Sequence, residues 1–401
     1  MKRIFSDKEI VLGVTGSIAA YKACDVASRL VQSGARVTPV LTRAAQELVR
    51  PASFQAITGR PAITKVFDSH NNRIIGHVDI STRADLFLVA PATANLIAKA
   101  AHGIADDWLT TALLATTAPV LFAPAMNAGM YAHDTTRANI DLLEHRGISF
   151  VGPVSGRLAC GIEGPGRMVE PAIIVEAAVP LVFSKKDLAG KRVLITSGGN
   201  REPIDPVRYI GNRSSGKMGR ELALAALARG ASVTVVTGPA EMPLPYGIDL
   251  VEVETAGQML KAVLPRARDA DVVIGAAAVA DYRVDSPLRH KHKRSDESFS
   301  LTLVQNPDVL ARVAQEKDRD WLVVGFAAET RNVAENAAAK LARKELDLVV
   351  ANEVGGDCSA FGADSVKAII VKPNGAKEEL GLIEKEDLAH RLLDEITKML
   401  A

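Results

Sequence analysis

The sequence predicts an α/β protein built from two doubly wound, Rossmann-like domains with mainly parallel sheets. Three observations predict it. Short apolar runs alternate with amphipathic helical stretches, the pattern of a parallel sheet covered on both faces. The first run, EIVLGV at 9–14, opens into a glycine turn and a helix, and the same order restarts at KRVLITSGG, 191–199. One strand further on, GARVTPVLT at 34–42 has its counterpart in GASVTVVTG at 230–238. A chain of 401 residues with 48% apolar side chains can fill two ordinary cores. The restart reads as two domains side by side, not as a solenoid.

In the first half the strand at 9–14 leads through TGS into a helix with Ala19, Ala23, Val26 and Leu30 on one face. Gly34 ends that helix, because glycine enters the left-handed cap freely. Strands are expected at 36–42, 85–90 and 119–123. PLVFSKKDLAG, 180–190, turns from apolar to charged just before the restart and divides the chain into 1–189 and 190–401. In the second half the strand at 191–199 precedes a helix near 216–229. Strands at 230–238, 271–275, 321–325, 347–351 and 367–372 and a closing helix at 385–400 follow. Residues 284–300 are polar and unpatterned and read as a loop.

Lysine plus arginine number 48 against 47 aspartate plus glutamate, so no net field favours nucleic acid or an anionic membrane. Aromatics at 4% are too few for a base-stacking surface. No apolar run reaches the ~20 residues of a membrane span. The basic start MKRIFSDKEIVLGV lacks the apolar region and cleavage site of a signal peptide. Cys24, Cys160 and Cys358 are far apart and odd in number, which implies no disulfide framework. A cytoplasmic protein with reduced thiols is expected.

Two glycine loops are candidates for holding an anion. VTGSIAAYKA, 14–23, joins a strand to a helix, where unpaired N–H groups and the helix dipole suit a phosphate. The full G-x-G-x-x-G is absent, and the second strand ends in LTRAA with no acidic residue for a dinucleotide ribose. The loop reads either as the cradle of a single-phosphate cofactor such as FMN or as a helix cap with no ligand. GNRSSGKM, 211–218, nearly spells a P-loop, but Met218 stands where Ser or Thr would hold magnesium. The loop also lies too far beyond its strand for that geometry. It reads as a polar loop gripping some anion through Asn212, Arg213, Ser214, Ser215 and Lys217, or as a solvated linker. LACGIEGPGRM, 158–168, sets Cys160 among glycines, too flexible for a helix and too interrupted for a strand, and this setting argues against burial in a core. Cys24, on the core side of its helix, and Cys358 read as structural thiols. The eight histidines form no H-E-x-x-H or Cys/His cluster, so metal ligands stay unassigned.

Longer motifs run in order through both halves: GSIAAYKA (16–23), GHVDIS (76–81), PATANLIAKAAHGIADD (91–107), PAMNAGMY (124–131) and ACGIEGPGRM (159–168), then GGNREPIDPVRYIGNRSSGKMG (198–219), AAAVADYR (276–283), KHKR (291–294), NPDVL (306–310) and GFAAET (325–330). Together they resemble the bifunctional phosphopantothenoylcysteine decarboxylase/phosphopantothenate–cysteine ligase family of coenzyme A biosynthesis, over nearly the whole chain. The resemblance implies an FMN-dependent decarboxylase at 1–189, of the flavin-containing cysteine decarboxylase group. It implies a CTP-dependent ligase at 190–401, which joins 4'-phosphopantothenate to cysteine through an acyl-cytidylate, with Mg2+ arriving on CTP. Small molecules would be its partners, with no nucleic acid and no membrane. A homo-oligomer is implied, with trimeric decarboxylase contacts and dimeric ligase contacts.

The chemistry explains the need for a redox group. Losing carbon dioxide from a cysteinyl amide leaves an unstabilised carbanion unless the thiol-bearing carbon is first oxidised, and the resulting ene-thiol must then be reduced. By resemblance, Cys160 donates the proton of that return step, and Gly161, Gly164 and Gly166 let its segment close as a lid. His77 matches the family's active-site histidine, and Asn127 the asparagine that binds the substrate carboxylate. Arg167 is a candidate partner for an anionic group, and Met126 and Met130 read as packing. Gly16, Ser17, Thr42, Thr93 and Asn95 are the expected FMN contacts. In the ligase half, Lys291 is the lead catalytic residue, from a run that ends in Arg294 where the family carries lysine. Asn212 corresponds to a residue that converts the acyl-cytidylate. Gly275, Ala276, Ala277, Asp281, Pro307, Asp308, Val309, Leu310, Phe326, Lys340 and Lys344 complete the CTP pocket, the two lysines lying one helical turn apart. Tyr131 stands where the family has tryptophan, and Asn200 where it has threonine. Two other readings are a flavin oxidoreductase with a nicotinamide site, disfavoured by the missing acidic residue, and a non-catalytic flavin binder, whose kind generally lacks the counterpart of His77 or Cys160.

Overall fold

The computed structural model describes residues 2–65, 76–293, 298–354 and 362–400. The chain forms two compact units, Met1–Ser184 and Lys185–Ala401.

The first unit carries five parallel strands, β1 (Glu9–Val14), β2 (Arg36–Leu41), β3 (Leu86–Ala92), β4 (Val120–Pro124) and β5 (Ser149–Phe150). Their order is β2-β1-β3-β4-β5, so the chain reverses direction across the sheet between β1 and β3. Every residue of β3 and β4 is buried, which is why these strands read as unbroken apolar runs. After β1 the chain tightens into a 3-10 turn, Ile18–Tyr21, before helix Lys22–Gln32. The buried stripe is therefore Ala20, Ala23, Val26, Ala27 and Leu30, and Ala19 is only half-buried. Gly34 adopts the left-handed φ of +93° that ending this helix requires. Cys24 departs from the expectation of a core thiol. It is half-buried, and that burial raises its pKa.

A hairpin follows the sheet, β6 (Val154–Arg157) with β7 (Glu163–Arg167). This corrects the reading of 158–168 as too interrupted for a strand. β7 crosses directly over the turn after β4, where the Met126 N–H donates to the Gly166 carbonyl at 3.0 Å. A Cβ on Gly166 would collide with the Met126 carbonyl, and its φ is +132°. The glycines serve a close backbone approach, not disorder.

The second unit opens with β8 (Arg192–Ser197), followed by the short pair β9 (Glu202–Pro203) and β10 (Tyr209–Ile210), and by β11 (Ser232–Thr237) and β12 (Asp249–Glu252). β13 (Val272–Gly275) precedes the small hairpin β14 (Tyr282–Val284) and β15 (Leu303–Gln305), which brackets the expected loop. β16 (Leu322–Glu329), β17 (Leu348–Glu353), β18 (Ser365–Val371) and β19 (Lys377–Glu384) complete it. The main sheet runs β12-β11-β8-β13-β16-β17-β18-β19, parallel as far as β17 and antiparallel from there. Successive residues go to opposite faces. Val193, Ile195, Val272 and Ile274 pack with the cluster that holds Leu222 and Leu392. Leu194, Val236, Val273 and Val323 pack with Met259, Val263 and Val313. Arg229, 1% exposed, forks onto Asp187 and donates to Asp394 at 2.9 Å, pinning the start of the unit to its last helix, Lys385–Leu400.

Candidate active sites

In the first unit the C-terminal ends of β1, β3 and β4 and the turn after β2 surround a cavity of about 740 Å3. Open α/β sheets bind ligands at such strand ends, where the strand order reverses. The Thr15 hydroxyl fixes its floor by donating to the Pro91 carbonyl at 2.7 Å and accepting from the Thr93 N–H at 3.2 Å. Gly16 is required here, since a Cβ would collide with Ala44. Gly16, Ser17, Thr42, Thr93 and Asn95 all line the cavity. Ser17, Thr42 and Thr93 each accept a backbone N–H at a helical start, which orients their hydroxyls at the cavity wall. Small donors around a cavity beside a glycine turn fit a flavin monophosphate. Met126 and Met130 were expected as packing. Met126 does pack against the core, but Met130 is half exposed and both line the cavity.

A second cavity, about 430 Å3, shares Ser17, Ala125 and Met126 with the first. Asn127 enters it from the N-cap of helix Ala128–Ala132, its Oδ1 accepting from the Gly129 N–H at 2.8 Å. That bond leaves the amide nitrogen free to turn toward the hairpin, where Nδ2 lies 3.2 Å from Cys160 Sγ. Cys160 is exposed in the β6–β7 turn, closed by Leu158 N–H to the Ile162 carbonyl at 2.9 Å. Arg157, Arg167 and Lys22 line the same cavity. His77 falls in helix Gly76–Arg83, but its side chain lies outside the described residues. Tyr131 packs against the core, with the Arg137 guanidinium 5.2 Å from its ring. Cys358 and Arg294 lie outside the described residues.

In the second unit a cavity of about 420 Å3 opens at the ends of β13 and β16. Gly275, Ala277, Asp281, Pro307, Asp308, Val309, Leu310, Phe326, Lys340 and Lys344 line it, over an apolar floor that includes Val263, Val273 and Val313. Lys340 Nζ donates to the Phe326 carbonyl at 2.6 Å, and Lys344 pairs with Asp308 at 2.6 Å. Burial, with the neighbouring Lys344 charge, lowers the Lys340 pKa to about 8. Burial pushes the Asp308 carboxyl up, but the Lys344 hydrogen bond, the Ala311 N–H and the Lys344 and Lys340 charges together hold the group below its ordinary value. Ala276 and Lys291 do not line this cavity. The Ala276 N–H is engaged by the Thr196 carbonyl at 3.1 Å. Lys291 is exposed, on a segment docked against Asp205 and Arg208 through the backbone of His292.

A neighbouring cavity of about 540 Å3 holds Asn200, Arg201 and Tyr209 with the loop Gly211–Ser215. Asn212 Nδ2 donates to the Val279 carbonyl at 3.0 Å, so this loop braces a wall of the previous cavity. Asn200 is buried, and its amide is consumed by Glu202 and by the Ala280 N–H. It braces the same wall. Lys217, grouped from sequence with the anion-gripping loop, instead pairs with Asp364. Among the described residues no cluster of three His, Cys, Asp or Glu side chains could hold a metal ion, and no helix is long and apolar enough to cross a membrane.

Residues 2–183 match the family described as Flavoprotein, and residues 188–400 that described as DNA/pantothenate metabolism flavoprotein C-terminal domain. The coenzyme A biosynthesis bifunctional protein CoaBC of Vibrio vulnificus (strain YJ016) is 44% identical over 395 residues, 98% of either chain. That of Bacillus subtilis (strain 168) is 43% identical over 399 residues, 99% of this chain and 98% of its own. That of Escherichia coli (strain K12) is 45% identical over 392 residues, 97% of this chain and 96% of its own. Such likeness spans both units and both sets of cavities. The chain belongs to the family of bifunctional coenzyme A biosynthesis proteins, enzymes that join a flavin-binding decarboxylase half to a ligase half.

Proposed function

We propose that residues 190–401 ligate 4'-phosphopantothenate to cysteine at the expense of CTP, and that residues 1–189 decarboxylate the product with FMN. A carboxylate does not acylate an amine until it carries a leaving group. Attack on the α-phosphate of CTP forms an acyl-cytidylate and releases pyrophosphate; the cysteine amine then displaces CMP. Lys340 and Lys344 stand ready for the triphosphate, and Mg2+ travels with it, held mainly by phosphate oxygens. Asp281 and the 307–310 turn frame the nucleoside, and Asn212, which braces the cavity wall through the Val279 carbonyl, serves the conversion of the acyl-cytidylate. Lys291 does not line this cavity, and its catalytic role rests on the motif resemblance alone.

In the first half, bound FMN supplies the oxidation of the thiol-bearing carbon and its later reduction. Asn127 binds the substrate carboxylate through a neutral amide, which does not trap the group as an anion when it leaves as carbon dioxide. Cys160 then delivers a proton to the electron-rich carbon of the ene-thiol. The observation that carries this reading is the Asn127 amide 3.2 Å from the Cys160 sulfur, in a cavity that shares a wall with the glycine-turn cavity. The assembly is a homo-oligomer, trimeric through the decarboxylase half, and works in the cytoplasm on water-soluble small molecules.

The test supplies purified protein with phosphopantothenate, cysteine, CTP and magnesium and follows products by mass. Phosphopantothenoylcysteine appears first, then its decarboxylated product. Lys291→Gln abolishes pyrophosphate release. Release that persists in this variant overturns the ligase assignment, and a protein without flavin absorbance overturns the decarboxylase assignment.

A further inference from the structure

Lys22 begins helix Lys22–Gln32, which continues directly from the 3-10 turn Ile18–Tyr21, and its side chain is only 14% exposed. Its ammonium reaches one oxygen of Glu170 at 2.9 Å. The same oxygen accepts from Arg167 Nη2, also at 2.9 Å. Glu170 is the N-cap residue of helix Pro171–Val182, yet its side chain makes no cap bond and turns to the two cations instead. Those cations line the cavity that holds Asn127 and Cys160, and among its described lining residues there is no carboxylate. Lys22, Arg157 and Arg167 therefore give that cavity three cationic lining residues, with the exposed Glu170 beside Lys22 and Arg167 and with Glu163 across the hairpin from Arg157. The hydrogen bond from Lys22 and the Arg167 charge hold the Glu170 carboxyl below its ordinary pKa.

The decarboxylase reading gives the substrate two anions. Its carboxylate belongs beside Asn127, at the reacting end. Its phosphate monoester lies at the far end of a long flexible arm. We propose that Lys22 and Arg167 form the subsite for that phosphate monoester, with Glu170 as the counter-ion that keeps the two cations together until it arrives. The inference rests on the decarboxylase reading above. A phosphate carries about two charges and three acceptor oxygens, against one charge on an exposed carboxylate, so it displaces Glu170. Arg167 ends the strand that leads away from the Cys160 turn. Phosphate held jointly by Arg167 and Lys22 ties that hairpin to the helix beside the glycine turn. Binding energy from the unreactive end thus holds the thiol in place for the chemistry.

The test compares kcat/KM for phosphopantothenoylcysteine and for its unphosphorylated counterpart, with flavin absorbance reporting an intact first half. In Lys22→Gln and in Arg167→Gln the ratio of the two values falls about tenfold, because one charge-assisted bond to the phosphate is lost. In Glu170→Gln the KM for the phosphorylated substrate falls, because the competing anion is gone. A ratio within about twofold of the parent protein in both cation variants overturns the inference, as does equal loss on both substrates with flavin retained, since the cations would then serve the fold or the carboxylate. Failure of the parent protein to decarboxylate either substrate sinks the underlying reading instead.

Discussion

Nucleotide binding by the second unit should weaken as pH rises, through Lys340. Its ammonium lines the cavity proposed for the nucleotide, with a pKa lowered to about 8 by burial and by Lys344 and Arg343, against the opposing pull of Asp308 and Glu329. A triphosphate beside it restores the charged form, so CTP binds the protonated lysine. At pH 7 nearly all of the lysine is protonated; at pH 8 half is, and binding takes up about half a proton; at pH 9 the apparent affinity is down about tenfold from pH 7. Isothermal titration of the full chain with CTP and magnesium, in two buffers of different ionisation enthalpy at each pH, reads both quantities. Lys340→Met removes the pH-dependent part and leaves a weaker, flatter affinity.

The same shift has a stability consequence of defined sign. The folded-state pKa lies below the ordinary lysine value of 10.5, so the fold disfavours the cation. Below pH 8 both folded and unfolded chains carry the charge and the penalty is complete. Between pH 8 and 10.5 the folded chain loses the proton first, and this residue's contribution rises by on the order of 3 kcal/mol. Absence of proton uptake at pH 8, or uptake undiminished in Lys340→Met, refutes the argument.

Three further outcomes follow from named contacts. Cys160→Ser should still release carbon dioxide but stop at an oxidised product lacking two hydrogens, identified by mass; normal product at the parent rate refutes the proton-donor role. Gly166→Ala places a Cβ against the Met126 carbonyl at a φ of +132°, a backbone strain of roughly 1–3 kcal/mol that the hairpin relieves by lifting off. Flavin absorbance should survive and decarboxylation fall at least about tenfold, since tenfold in rate is only ~1.4 kcal/mol of misplacement. Arg229→Met leaves the partly exposed Asp187 and Asp394 with Lys185 as their remaining cation and should cost the second unit about 1–3 kcal/mol in a urea melt at pH 7. The Arg229 and Lys185 hydrogen bonds outweigh burial and lower the Asp187 pKa to about 2, so its share is fully present above the ordinary carboxylate range. The gap between parent and variant should therefore narrow as pH falls from 4 toward 2; a constant gap refutes it.

What could be read from sequence follows from how each residue is held. β3, β4, β8 and β13 announce themselves because both faces of a parallel sheet are covered, which demands an unbroken apolar run. β19 does not, because its burial alternates and Leu382 is 67% exposed, so KEELGLIE looks like surface. Cavity-lining residues at strand ends, such as Gly16, Thr93 and Gly275, are legible for the same topological reason, since the position of the strand fixes the position of the cavity. β7 defeats the local reading because Gly164 and Gly166 answer to atoms of Ala128 and Met126, nearly forty residues earlier in the chain. Lys22 is harder still. It lies within a motif quoted for its glycine turn, and its partner Glu170 is 148 residues away. Nothing local marks it, and only its place in the cavity beside Cys160 gives it a reason. Asn200 and Lys217 show the converse. Both look available for ligand in a polar loop, and both are already occupied, by Glu202 and Asp364. Chemistry-bearing residues in a loop are thus identified by sequence as a set, but which of them remain free for substrate depends on pairings that only the folded chain supplies.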